Sequence, residues 1–128
     1  MARILLLEPD SVLNNIYREA LVGGGHIVNP VFDAQNAINI TEKFIPELII
    51  IELQLPVHNG IEFLYELRSY ADWQSIPVII LSFVPSNEFQ LNHSLWQDLG
   101  VVNYLYKPNV SLHQLLSIVR EQMALLTA

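Results

Sequence analysis

Short runs of consecutive apolar residues recur along this chain, and each is followed by a segment with the spacing of a helix. The runs are Ile4–Leu7, Ile27–Val31, Leu48–Ile51, Val78–Leu81 and Val101–Tyr106, the second interrupted by Asn29 and Pro30. A strand with one wet face alternates apolar and polar residues, because successive side chains point to opposite sides of a sheet. Continuous apolarity calls for cover on both faces, the condition of parallel strands. The chain is thereby directed to folds in which helices enclose a sheet.

The intervening segments supply those helices. In the first, Val12, Ile16, Ala20 and Leu21 form a predicted apolar face, and Gly23-Gly24-Gly25 is the stop. Asp33 is a predicted cap for a second helix carrying Ala37, Ile38 and Ile40, with Pro46 ending the approach to the next strand. The third runs from near Ile61 through Phe63, Leu64 and Leu67. The fourth begins near Ser86, has Glu88 in its first turn, and carries Phe89 or Leu91, then Leu95, Trp96 and Leu99 before Gly100. The last follows Pro108, with Ser111 as cap, and carries Leu115, Leu116, Val119 and Met123. Strand and helix thus alternate as (βα)5. Right-handed crossovers make this an α/β three-layer sandwich around a five-stranded parallel sheet. The flavodoxin-like strand order 2-1-3-4-5 is the usual solution at 128 residues. A single domain, 1–128, absorbs the whole pattern, and no output domain is expected.

Composition then removes several classes of function. Apolar residues make up 52% of the chain and charged residues 15%, which excludes a disordered protein. Thirteen acids against six bases give a formal charge of −7, and the bases do not cluster, which argues against binding nucleic acid. The absence of cysteine excludes a disulfide scaffold and a thiolate nucleophile. No apolar run is long enough to cross a bilayer, and Glu8 interrupts the opening stretch before it could read as a signal peptide, so no membrane association and a cytoplasmic location are expected. His26, His58, His93 and His113 show no i, i+4 pairing and are not expected to hold a metal.

In an open α/β sheet, ligands bind beyond the carboxyl ends of the strands. Those ends carry Glu8-Pro9-Asp10 after the first strand, Glu52 after the third, Ser82 after the fourth and Lys107-Pro108 after the fifth. Any one of these polar residues is ordinarily just the point where the chain meets water. Together they bring carboxylates, a hydroxyl and an amine to one shallow site.

The stretch Leu48-Ile49-Ile50-Ile51-Glu52-Leu53-Gln54-Leu55-Pro56-Val57-His58-Asn59-Gly60 resembles the signature around the phosphoacceptor of two-component response regulator receiver domains, the CheY-like family. Ile4–Asp10 is similar to that family's first strand with its acidic pair, Pro77–Ser82 to its fourth strand, and Tyr104-Leu105-Tyr106-Lys107-Pro108 to its fifth. The resemblance covers essentially the whole chain. It implies that Ser82 and Lys107 are the hydroxyl and amine that contact phosphoryl oxygens, and that Tyr104 is the switch aromatic. A tyrosine simply packing at the edge of the fifth strand fits Tyr104 equally well.

The departures from the family pattern are informative. Glu52 stands where the family has the aspartate that accepts the phosphoryl group. Its extra methylene displaces the carboxylate by roughly 1 Å, and in-line transfer can lose about a hundredfold for such a shift. The metal-binding acidic pair is reduced to Glu8 followed by Pro9, and Asp10 sits one residue late, where it can instead begin the first helix. Phe83 occupies a position usually small in the family and is expected to cover the site. The resemblance therefore implies a degenerate member: no enzyme, no cofactor, Glu8 and Asp10 as vestigial metal ligands, and Lys107 as counter-charge to an ionised Glu52. Such a pair would hold one state, active-like or resting-like, and the sequence does not choose between them. A vestigial pocket, with the pair kept because burying one charge alone is costly, remains open beside this.

The last helix carries Leu112, Leu115, Leu116, Ile118, Val119, Met123, Leu125 and Leu126, more apolar circumference than one core-facing stripe needs. In the family, the face of helix four, strand five and helix five is where partners dock and dimers form, so a protein partner and a possible homodimer are expected there. The expected function is a stand-alone, phosphorylation-independent receiver-like signalling module. The alternative is a working Mg²⁺-dependent phosphoacceptor with unusual pocket ligands, using Glu52 as acceptor or Asp10 as a substitute metal ligand. A flavodoxin-type electron carrier fits the fold but not Glu8-Pro9-Asp10, which would repel a phosphate.

Overall fold

The computed structural model describes residues 2–86 and 93–127. Strands β1 (Arg3–Leu7), β2 (Ile27–Val31), β3 (Leu48–Ile51), β4 (Val78–Ser82) and β5 (Val101–Tyr106) form one parallel sheet in the order β2-β1-β3-β4-β5. Helices α1 (Ser11–Gly23), α2 (Ala34–Lys43), α3 (Gly60–Ser69), α4 (His93–Asp98) and α5 (Leu112–Thr127) alternate with the strands. Strand order, parallel pairing and layering are as the sequence pattern requires. Glu88, Phe89 and Leu91, expected at the start of the fourth helix, lie outside the described residues. Among the described residues, no helix is long and apolar enough to cross a membrane.

The unbroken apolar runs are explained by two cores, one on each side of the sheet. Leu5, Leu7, Ile49, Ile51, Val78 and Ile80 face a cluster completed by α2, α3 and Leu99, whereas Ile4, Leu6, Leu48, Ile50, Ile79 and Leu81 face one completed by α1 and α5. Alternate residues of the central strands β1, β3 and β4 thus serve opposite layers, and polar side chains fall at their ends or on the edge strands, as Asn29 and Asn103 do. Full burial of one such side chain contributes about 1.5–3 kcal/mol.

One expectation fails. The face of α1 read as Val12, Ile16, Ala20 and Leu21 is fully buried only at Leu21, whereas Val12 is 67% exposed and Ile16 40%. The inward stripe runs through Asn14, Tyr17 and Leu21. Asn14 is buried because its Nδ2 donates to the carbonyls of Glu8, at 3.0 Å, and Val31, at 3.1 Å. A polar residue doing the work of a core residue hides the stripe from apolar periodicity.

Pro30 does not interrupt β2. Its residue pairs with Leu6 on one side only, and an edge strand tolerates a missing N–H on its free side. At the opposite edge, the register with β4 slips between Val78 and Ile79, leaving Val102 as an extra, exposed residue of β5.

Candidate functional site

The sheet order places β1 and β3 side by side at the centre, with crossovers leaving in opposite directions, so the carboxyl ends of β1, β3, β4 and β5 border one crevice. The backbone continues the sheet by one step past each central strand. The Glu8 N–H donates to the Val31 carbonyl at 3.1 Å, and the Glu52 N–H to the Leu7 carbonyl at 3.0 Å. Gly60 opens α3 against this end of β3, where a Cβ would stand 2.8 Å from the Leu53 Cα. Only glycine permits that approach, which seats α3 directly behind Glu52.

Four of the residues singled out from sequence meet here, all buried: Glu8, Glu52, Ser82 and Lys107. The Lys107 ammonium lies 2.5 Å from Glu8 Oε1 and 2.7 Å from Glu52 Oε1, bridging the two carboxylates. The Ser82 hydroxyl and the Gln54 N–H (3.1 Å) donate to Glu52 Oε2, and the Phe83 N–H donates to Glu52 Oε1 at 3.2 Å. The Asp10 N–H donates to Glu8 Oε2 at 3.0 Å. The Phe83 ring lies over the Lys107 ammonium, 4.5 Å from Nζ to the centroid, and is itself half exposed. Among the described residues every buried side-chain nitrogen and oxygen has a hydrogen-bond partner.

These contacts set the charge states. Burial alone would raise the Glu52 carboxyl, but hydrogen bonds from Lys107, Ser82 and the Gln54 N–H outweigh it and hold the group below its ordinary range. Burial alone would lower the Lys107 amine, but its bonds to Glu52 and Glu8 outweigh that and hold it above its ordinary value. Both groups stay ionised through the neutral range.

The remaining candidates lie nearby. Asp10 is directed away from the carboxylates: its Oδ1 accepts from the Val12 and Leu13 N–H groups, at 2.9 and 3.0 Å, and caps α1. Tyr104 donates its hydroxyl to the Val84 carbonyl at 2.6 Å and packs against Trp96 with ring centroids 5.5 Å apart. Val84 also donates its N–H to Ser82 Oγ at 3.0 Å, so one residue touches both the pocket serine and the tyrosine. Asn14 is the contributor that the sequence reading missed. It ties α1 to the backbone of Glu8, and it sits opposite the apolar face read from sequence, where a polar residue carries no signal.

A magnesium ion asks for a near-octahedral set of oxygens at about 2.0–2.1 Å. The arrangement does not fit one as it stands. The inward oxygens of Glu8 and Glu52 are both held by Lys107, Pro9 brings no side-chain oxygen, and Asp10 is engaged at the helix cap. Among the described residues there is also no group of three or more His, Cys, Asp or Glu side chains suited to a metal.

Residues 4–120 match the sequence model of the response regulator receiver domain. The chain is 35% identical over 108 residues to the KDP operon transcriptional regulatory protein KdpE of Escherichia coli K12, covering 84% of this chain and 45% of that protein. It is 30% identical over 122 residues to the probable transcriptional regulator ycf29 of Pyropia yezoensis, covering 95% of this chain and 53% of that one. The chain thus spans about half the length of these curated relatives. Among solved structures, the chemotaxis response regulator CheY4 of Vibrio cholerae superposes with a TM-score of 0.82 at 22% identity, covering 94% of this chain and 98% of that one. The receiver domain of a sensor histidine kinase from Pseudomonas aeruginosa PAO1, with a magnesium ion coordinated in its active-site cleft, superposes with a TM-score of 0.77 at 26% identity, covering 94% of this chain and 95% of that one. With the sheet order, the strand-end pocket and these matches in agreement, the chain belongs to the response regulator receiver domain family of two-component signalling.

Proposed function

We propose that this receiver domain signals without being phosphorylated, as a module that acts by binding another protein rather than by catalysis. The observation that carries the reading is the state of Glu52. The residue in the acceptor position already holds the serine hydroxyl and the lysine ammonium, the two groups that the family resemblance assigns to phosphoryl oxygens. A nucleophilic oxygen must be free to attack in line, and each oxygen of Glu52 accepts two hydrogen bonds. The partner surface is assigned to α4, β5 and α5. Val102, Leu112, Leu125 and Leu126 are exposed on β5 and α5, and a groove of 280 Å³ runs beside Trp96, Gln97 and Tyr104.

The test is a two-dimensional amide NMR titration with Mg²⁺ followed by beryllofluoride, the phosphoryl mimic. The expected result is no saturable shift at Glu8, Glu52, Ser82 or Lys107. Saturable shifts there on adding beryllofluoride, spreading to Tyr104 and α4, would establish the opposite reading, a working phosphoacceptor with unusual ligands.

A further inference from the structure

We infer that the Lys107 ammonium is the resident cation of this pocket, standing where a divalent ion would otherwise bridge the Glu8 and Glu52 carboxylates. This deepens the phosphorylation-independent reading by naming what takes the metal's place, and the two can fail separately.

The geometry is that of a cation site already filled. Nζ lies 2.5 Å from one oxygen of Glu8 and 2.7 Å from one oxygen of Glu52. A magnesium ion bonded to the same two oxygens at about 2.1 Å would fall inside the volume of the ammonium, so the two occupants exclude one another. The outer oxygens are engaged as well. Glu8 Oε2 accepts from the Asp10 N–H, and Glu52 Oε2 from Ser82 and the Gln54 N–H. One ammonium against two carboxylates leaves a single negative charge, which those donors and the Phe83 N–H spread over the pocket wall. Phe83 then closes the open side with its ring, giving the ammonium a π face in place of water.

Tethering gives the lysine its advantage. A free ion must be dehydrated and immobilised at each binding event, and magnesium gives up its water reluctantly. The Lys107 ammonium is delivered by the chain, from the turn Lys107–Asn109 that ends β5. The pocket therefore keeps one charge arrangement whatever the divalent-ion concentration.

The experiment uses the wild-type domain first. The side-chain ammonium of Lys107, shielded between carboxylates, is observed by ¹H–¹⁵N NMR while Mg²⁺ is raised to tens of millimolar. Its resonance is expected to stay unmoved, and Mn²⁺ is expected to cause no selective broadening at Glu8, Glu52 and Ser82. A saturable shift or loss of that resonance with metal would overturn the inference. A Lys107→Ala variant then vacates the position. It is expected to bind Mn²⁺ at least tenfold more tightly than wild type by water-proton relaxation, and to melt at a higher temperature when Mg²⁺ is added. A folded variant that gains no metal binding also overturns the inference, and should the variant not fold, the wild-type ammonium resonance decides. Displacement of Lys107 by Mg²⁺ without uptake of beryllofluoride would defeat this inference alone, whereas uptake of beryllofluoride with the ammonium resonance retained would defeat only the earlier reading.

Discussion

At the scale of single residues, the pocket is a set of charges that depend on one another. Removing Lys107 with Lys107→Met leaves two carboxylates buried without their counter-charge, which costs about 3–5 kcal/mol in buried pairs of this kind. The pH dependence follows from the directions of the two shifts. Glu52 is held below its ordinary value, so its contribution is complete above the unfolded carboxyl value of about 4.3 and fades as pH falls through the lower folded value. Lys107 is held above its ordinary value, so its contribution is complete below the unfolded amine value of about 10.4 and fades as pH rises through the higher folded value. Thermal melts across pH are expected to show a plateau through neutrality in wild type. In Lys107→Met the Lys107 part of the alkaline decline disappears and mild acid becomes stabilising, because protonating a carboxylate relieves the unpaired charge. A variant that keeps the wild-type profile would rule this out. Asn14→Leu tests the other buried polar residue. It leaves the Glu8 and Val31 carbonyls without the amide donor and is expected to lower stability by about 1–3 kcal/mol in urea denaturation, despite adding apolar surface to the core.

At the scale of elements, the connection between α3 and β4 is held by an arginine that donates to three backbone carbonyls. Arg68 Nε donates to the Leu99 carbonyl at 2.8 Å, Nη1 to Trp73 at 2.6 Å and Nη2 to Ile76 at 2.5 Å. The planar fork joins the end of α3, the turn at Ala71–Trp73 and the carbonyl that follows α4. Lysine offers one head group and cannot span three diverging carbonyls, so Arg68→Lys is expected to cost about 1–3 kcal/mol by chemical denaturation. Gly100 lies over the same guanidinium with φ +73, where a Cβ would collide with it. Gly100→Ala should destabilise by at least about 1 kcal/mol, and the double variant by less than the sum, since both act on one contact. Purely additive losses would separate the two. The edges of the sheet are likewise guarded, by Pro30 on β2 and by the irregularity at Val102 on β5, so pairing with a further strand at either edge is disfavoured.

At the scale of the whole molecule, the formal charge of −7 sits mostly on the surface, because the pocket of Glu8, Glu52 and Lys107 accounts for only one net negative charge. Like charges spread over a small surface repel, and salt screens them within about 10 Å at 0.1 M, whereas a buried cluster is screened far less. The melting temperature is expected to rise as sodium chloride is raised from about 20 mM to 300 mM, and to rise by a similar amount in Lys107→Met. A fall with salt would mean that exposed ion pairs, such as Arg3 with Glu47 at 3.6 Å, dominate instead.

The sequence by itself determined the layered architecture, because burial on both faces marks nearly every residue of the central strands β1, β3 and β4, and five apolar runs in alternation with helices admit few topologies. It also placed Glu8, Glu52, Ser82 and Lys107 at strand ends, since strand ends can be counted along the chain. What it left open were properties that depend on direction rather than position. Whether Lys107 reaches one carboxylate or two, whether Asp10 turns toward the pocket or toward the N–H groups of α1, and which side of α1 faces inward are all settled by contacts between segments distant in sequence. Asn14 shows why: its burial is stabilised by the carbonyls of Glu8, just past β1, and of Val31 in β2, which no periodicity within α1 can reveal. Only the tertiary structure brings those partners within reach, and the hydrogen bonds they form decide the orientation of each group.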